Sequence, residues 1–266
     1  MNKELRTIIE RLNHPTLSKP SVIKWGSPIF AFGNLRSSKV ATLGLNPSNR
    51  EFVDNYGREL KGDKRRFHTL KSLGISNWSE IEDRHLNSIV ESCHNYFYKN
   101  PYDTWFKKLD YIISGTSTSY YSISSHACHV DLIPYATKDK WMELSPTERS
   151  SLFELSADSL GLILRKSSVE LLILNGQSVV KNLELITDSK LEKRPMSSWT
   201  LPRQEGIGVI GYSYTGKIKA IGGVKLKNEI KVLGYNHNIQ SSFGVTLSVK
   251  AAIRNWITKK VRERFI

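Results

Sequence analysis

The stretch that decides the fold is Ala41-Thr-Leu-Gly-Leu-Asn-Pro-Ser-Asn-Arg-Glu-Phe52. Val40 to Leu45 is a short apolar run that reads as a buried strand, and Gly44, Pro47 and Ser48 break it. A strand running into a Gly/Asn/Pro turn leaves a polar side chain, Asn46, at its carboxyl end, where open α/β sheets bind ligands. The same residues also suit an ordinary strand-to-helix turn, in which Asn and Pro serve turn chemistry alone. The rest of the chain has to decide between the two.

Three further segments repeat the pattern. Ala127 to Ile133 reads as a strand interrupted by Asp131, and a carboxylate in a buried strand is costly unless paired or functional. An ion pair with a nearby Lys or Arg is the plain alternative. Glu170-Leu-Leu-Ile-Leu-Asn175-Gly176 is the cleanest buried parallel strand and again ends on Asn-Gly. Ile230 to Tyr235 runs into Asn236-His-Asn-Ile-Gln-Ser-Ser-Phe-Gly244, and a helix over 245–261 closes the chain.

Between these strands the spacing predicts helices over 3–12 and 80–99, one beginning at Pro101, and one over 145–166. The last opens on the capping signature Ser145-Pro-Thr-Glu148. In the helix after Pro101, Trp105, Leu109 and Ile112 form a stripe that reads as core. Residues 28–33 read as a strand, 114–125 as a Gly/Ser/Thr/Tyr linker and 195–205 as an irregular loop. Residues 209–221 have the shape of a β-hairpin turning at Thr215-Gly216. Strands alternating with helices imply an α/β fold, a three-layer α/β/α sandwich around a mainly parallel central sheet. With no repeat or linker in evidence, residues 1–266 read as one domain.

Charge narrows the function. In 266 residues, 39 Lys and Arg stand against 25 Asp and Glu, a formal charge of +14. Such an excess suits a polyanion, whose condensed counterions are released on binding. Arg58, Lys61, Lys64, Arg65, Arg66 and His68 crowd into eleven residues beside Tyr56 and Phe67, as in a nucleic-acid groove or simply a solvated face. No apolar run approaches the roughly 20 residues of a membrane helix. Cys93 and Cys128 are the only cysteines, too few for a disulfide framework or an iron–sulfur cluster. The seven histidines lack zinc spacing, and the His126/His129 pair around Cys128 lacks a second ligand pair. The N-terminus has no apolar signal core. A cytoplasmic protein without metal or cofactor is expected.

In order, these segments resemble the uracil-DNA glycosylase superfamily over about residues 23–258. The family's first motif, Gly-x-(Asp/Asn)-Pro after a strand, stands here as Gly44-Leu45-Asn46-Pro47. Its base-reading strand is matched by Cys128 to Ile133 and another core strand by Leu171 to Asn175. Its final His-Pro-Ser-type loop is replaced by Val232-Leu-Gly-Tyr-Asn-His237-Asn238-Ile-Gln-Ser241-Ser242. The resemblance implies a monomeric DNA glycosylase that flips a nucleotide out of double-stranded DNA and hydrolyses its glycosidic bond. Asn46 would hold the water, and His237 or Asn238 would hydrogen-bond the leaving base. Ser48, Asp131 and Asn175 would surround that base, with Phe52, or else Tyr56, stacking on it. Gln240, Ser241 and Ser242 would touch phosphates, with Arg58, Lys64, Arg65 and Arg66 in the basic insert about 53–100.

Two departures from the family pattern point to the substrate. The most uracil-selective members carry a Tyr after the motif Pro that walls off C5 of the base; here Ser48 leaves room. Where they read uracil with an Asn amide, this chain has Asp131, and a carboxylate pairs with the amino group of cytosine. Together these imply a cytosine with a bulky C5 substituent, such as glucosylated 5-hydroxymethylcytosine in phage DNA, removed in antiviral defence. The insert and the 209–221 hairpin would deepen the pocket. The alternatives are a repair glycosylase for uracil, hypoxanthine or other deaminated bases, a catalytically inert nucleic-acid-binding module, and a hydrolase of small nucleosides.

Overall fold

Strand β1 (Val40–Gly44) lies between β2 (Ala127–Asp131) and β3 (Leu171–Asn175), parallel to both. Beyond β3 the sheet continues with β6 (Val224–Tyr235), again parallel, then β5 (Val209–Ile221) and β4 (Glu192–Leu201), both antiparallel. The order is 2-1-3-6-5-4. This computed structural model describes residues 2–18, 21–99, 103–124, 126–187, 189–203, 208–240 and 244–263. All residues of β2 and β3, and all of β1 but Gly44, are buried. Since successive side chains point to opposite faces, this part of the sheet is covered on both, which is why its strands are continuous apolar runs.

The helices are α1 (Asn2–Glu10), α2 (Leu70–Leu73), α3 (Asp83–His94), α4 (Tyr96–Lys99), α5 (Asp103–Ile113), α6 (Pro146–Ser156), α7 (Ser159–Leu164), α8 (Gln177–Ile186) and α9 (Leu247–Arg262). Helix α8 packs on β3 and β6, α7 on β5 and β6, and α9 on α5 and β4. The capping box of α6 forms as expected, Ser145 Oγ accepting from Glu148 N at 3.2 Å. Among the described residues no helix is long and apolar enough to cross a membrane.

Several expected elements differ. Residues 28–33 form no strand; Phe32 and His129 exchange backbone hydrogen bonds of 2.8 and 2.9 Å as an isolated bridge beside β2. Residues 195–205 are not an irregular loop up to Leu201, because Glu192–Leu201 is the edge strand. Pro195, which has no N–H to donate, is tolerated there. The hairpin does not turn at Thr215-Gly216, which lies inside β5. It turns at Gly222-Gly223, with φ of 55° and 77°, a pair of left-handed residues matched to the twist of the long strands around it. The helix expected over 80–99 breaks at Asn95, and that over 145–166 at Ala157–Asp158. Pro101, its expected first turn and Ser125 lie outside the described residues.

Candidate active site

The carboxyl ends of all four parallel strands open on one cavity of about 880 Å³. Gly44 to Glu51 after β1, Asp131 at the end of β2, Asn175 and Gly176 at the end of β3, and Asn236 and Asn238 after β6 all line it. This is where open α/β sheets bind ligands. Trp105 and Phe106 of α5 and the loop 137–143 complete the wall.

Asn46 is half-buried, and its orientation is fixed by a relay. The Thr137 hydroxyl donates to Asp139 O at 2.7 Å, so the 2.8 Å bond from Asn46 must be one in which Thr137 Oγ1 accepts from Nδ2. Nδ2 also reaches Pro47 O at 3.2 Å. With the amino end so held, Oδ1 is left as an acceptor, the group needed to orient a water. The adjoining turn Asn49–Glu51 is capped by Ser48, whose Oγ accepts from Arg50 N at 3.2 Å.

Asp131 faces Gly44 across the β1–β2 ladder. A Cβ at position 44 would overlap Asp131 Oδ1 and stand 2.9 Å from His129 Nε2, so the motif glycine makes room for the carboxylate. Among the described residues Asp131 makes no ion pair with Lys or Arg, the expected alternative; its neighbour is His129 Nε2, at 3.4 Å with both side chains buried. Thr42 Oγ1 touches Tyr120 OH and, at 2.7 Å, His129 Nδ1. If the phenol donates to Thr42 and Thr42 to Nδ1, the imidazole proton lies on Nε2, directed at Asp131. Phe32, Trp105 and Phe106 pack on the imidazole with centroids 5.4–5.5 Å away. The segment 114–124 is therefore no free linker, since it delivers Tyr120 to this relay.

Glu51 is the least expected member. It lines the cavity yet is 4 % exposed. Its Oε2 accepts from Tyr96 OH at 3.1 Å and lies 3.8 Å from Arg66 Nη1, which itself donates to Arg50 O at 2.9 Å. Burial pushes the Glu51 carboxyl up to about 8; the Arg66 charge and the Tyr96 bond pull it down, and the Asp131 charge pushes it further up. Near neutrality it is largely the uncharged acid.

Asn175 anchors the final loop. Its Nδ2 donates to Gln240 Oε1 and its Oδ1 accepts from Ile239 N at 3.1 Å. Asn238, whose Oδ1 accepts from Gln240 N at 3.0 Å, lines the cavity. His237 does not. Its ring is buried and Nε2 donates to Trp199 O at 2.7 Å; burial lowers its imidazole below the ordinary histidine value. Of the two residues proposed to touch the base, the cavity holds Asn238 alone. Gln240 turns its side chain inward: its amide oxygen accepts from Asn175, and its amino group, the end able to donate to a phosphate, is buried. Ser241 and Ser242 lie outside the described residues.

Neither expected stacking residue lies in the wall. Phe52 is 2 % exposed and packs on Trp25 and Phe67, with ring centroids 5.8 and 6.1 Å away. It is core because Gly26, without a Cβ, lets it close down on the backbone. Tyr56 is 82 % exposed, with Arg58 over its ring at 4.8 Å. The aromatic faces of the cavity come from Phe32, Trp105, Phe106 and Trp141 instead, so Trp105, assigned to the core by its helical stripe, is a wall residue. In the basic insert, Val53, Asp54, Asn55 and Gly57 line the cavity. Arg58 pairs with Asp54 at 2.8 Å, Lys64 is exposed, Arg65 is half-buried, and Arg66 is drawn to Glu51. The 209–221 segment contributes nothing to the wall.

Glu51, His129 and Thr137 are the members that sequence reasoning missed. Glu51 alone carried a local signal, an acidic residue five positions after Asn46 in a tight turn. Among the described residues no group of three His, Cys, Asp or Glu side chains is arranged to hold a metal ion. Compared with known proteins, the chain matches no family model and no curated protein.

Proposed function

We propose that this protein is a monofunctional DNA glycosylase that excises a C5-substituted cytosine by hydrolysis of its N-glycosidic bond. The observation that carries the proposal is the pairing of Asn46, its amide turned by Thr137 so that Oδ1 is free to hold water, with Asp131 in the same cavity. An oxocarbenium-like sugar needs a positioned water more than a strong nucleophile, and a carboxylate accepts from an exocyclic amino group. The order of the parallel strands and the ligand site at their carboxyl ends agree with the uracil-DNA glycosylase-like fold proposed here. The cavity lies in the upper part of the roughly 300–1,000 Å³ range that holds drug-sized ligands, more than an unmodified base fills. Ser48, at its mouth, brings little bulk. The net charge of +14 suits a double-stranded DNA partner.

The test is a panel of duplexes bearing uracil, hypoxanthine, cytosine, 5-hydroxymethylcytosine and its glucosylated form, scored for alkali-labile abasic sites. Cleavage confined to the C5-enlarged cytosines is expected. Activity on uracil or hypoxanthine alone overturns the substrate, and no cleavage of any duplex overturns the chemistry.

A further inference from the structure

A departing cytosine lacks the second carbonyl that helps uracil carry negative charge, so its loss profits from a proton delivered to the ring. The histidine of the last loop cannot supply it, because His237 is bonded to the Trp199 carbonyl and lies outside the cavity. The wall of that cavity holds a different acid. Glu51 closes the turn that Ser48 caps, buried against Tyr96 and Arg66, with Asp131 close enough to act on it electrostatically.

We propose that Glu51 is the proton donor to the leaving base, acting beside Asp131 on the edge of an aminopyrimidine. The inference rests on the glycosylase function proposed above and adds the group that makes cytosine able to leave. Asp131 accepts from the exocyclic amino group, and Glu51 addresses the neighbouring ring nitrogen, N3. As the C1′–N1 bond breaks, its electron pair goes to the base and the Glu51 proton to N3. The water held by Asn46 bonds to C1′ and loses a proton to solvent, from which Glu51 is reprotonated. The products are the free base and the abasic sugar, and no other reactant is needed.

Of the charged and titratable groups around Glu51, Asp131 together with burial favours the protonated acid, while Arg66 and Tyr96 oppose it. Arg66 is 3.8 Å away, with part of its donor capacity spent on Arg50 O, and Tyr96 gives one neutral hydrogen bond. Asp131, backed by His129, is a second acid whose charge disfavours ionisation of the first. Two carboxyl groups line one pocket, an arrangement in which one can serve as acceptor and the other as donor.

The experiment measures single-turnover excision of a C5-substituted cytosine from duplex DNA between pH 5.5 and 9.5, for the wild type and for Glu51→Gln. The wild-type rate is expected to fall about tenfold per pH unit above about 8. E51Q, which can donate a hydrogen bond but not a proton, should be slower at pH 7 by about a hundredfold, at the low end of general acid catalysis, and should lack that fall. 5-Formylcytosine, which is enlarged at C5 and departs more readily, should recover much of the E51Q loss, whereas a purely structural defect would depress both substrates alike. Carbon-13 spectra of glutamate-labelled wild type should show one carboxyl titrating near 8 that is missing from E51Q. That signal and the wild-type profile decide the matter if E51Q misfolds, and a Glu51 carboxyl titrating in the ordinary range overturns the proposal. Equal pH profiles for E51Q and wild type overturn the role of Glu51 alone. A wild type that excises nothing overturns the glycosylase function and this step with it.

Discussion

Gly44 and Asp131 are partners across the β1–β2 ladder, and the carboxylate of Asp131 occupies the space that a side chain at position 44 would fill. Gly44 and the Asp131 carboxylate are thus one structural unit. Gly44→Ala should displace Asp131 and His129 and cost about 1–3 kcal/mol, the usual penalty of overpacking. Thermal or urea unfolding of G44A measures this, and excision should fall with it.

Thr137 orients the amide of Asn46. Thr137→Val preserves volume but leaves Asn46 Nδ2 only its 3.2 Å bond to Pro47 O, a loss of about 1 kcal/mol at a half-buried donor. The expected signature is a reduced excision rate with binding of substrate duplex little changed, read by single-turnover kinetics and equilibrium titration. Asn46→Ala should remove activity more completely.

The two polar residues after Tyr235 should separate by readout. His237→Ala breaks the bond to Trp199 O and opens space in packed core, so stability falls while a folded fraction retains chemistry. Asn238→Ala, at a residue in the cavity wall, should lower the excision rate with a smaller change in melting temperature. The reverse result would return the base contact to His237.

Stability should vary with pH on two limbs of opposite direction, both caused by burial. Burial lowers the His68 imidazole to about 4 from 6.5, so the unfolded chain binds a proton that the folded one refuses. Stability then declines as pH falls from about 6.5 toward 4. Glu51 is raised to about 8 from 4.5, so the folded chain keeps a proton that the unfolded one has lost. Its contribution is present below pH 4.5 and declines as pH rises toward 8. Chemical denaturation across pH should show His68→Gln flattening the acid limb and E51Q the neutral one.

The basic insert should not act as a uniform patch. Lys64 is exposed and Arg65 half-buried, so reversing both charges should reduce the slope of log affinity against log salt by about one per lost phosphate contact. Arg66 is held against Glu51 and Arg50 O; its replacement should alter excision and its pH dependence more than the salt slope. Affinity titrations at several salt concentrations distinguish them.

Local sequence determined the parts of this protein that depend on neighbours along the chain. Apolar runs ending in Gly, Asn or Asp marked three of the four parallel strands nearly to the residue, and the Ser145/Glu148 box marked the start of a helix. Asn46, Asp131 and Asn175 were legible as strand-end polar groups, and the structure brings them to one cavity. Tertiary structure alone decided which way the remaining side chains face. Phe52 became core because Gly26 admits its ring, and His237 was drawn to a carbonyl 38 positions away in sequence. Trp105 turned from an apparent core stripe into cavity wall, because α5 packs beside the end of β2. The Glu51 carboxyl is raised by burial and by the charge of Asp131, against Arg66 and Tyr96, all of them brought to it by the fold. A strand end is set by propensity and turn chemistry over a few residues. The ionisation and exposure of a side chain are set by whatever the fold packs against it.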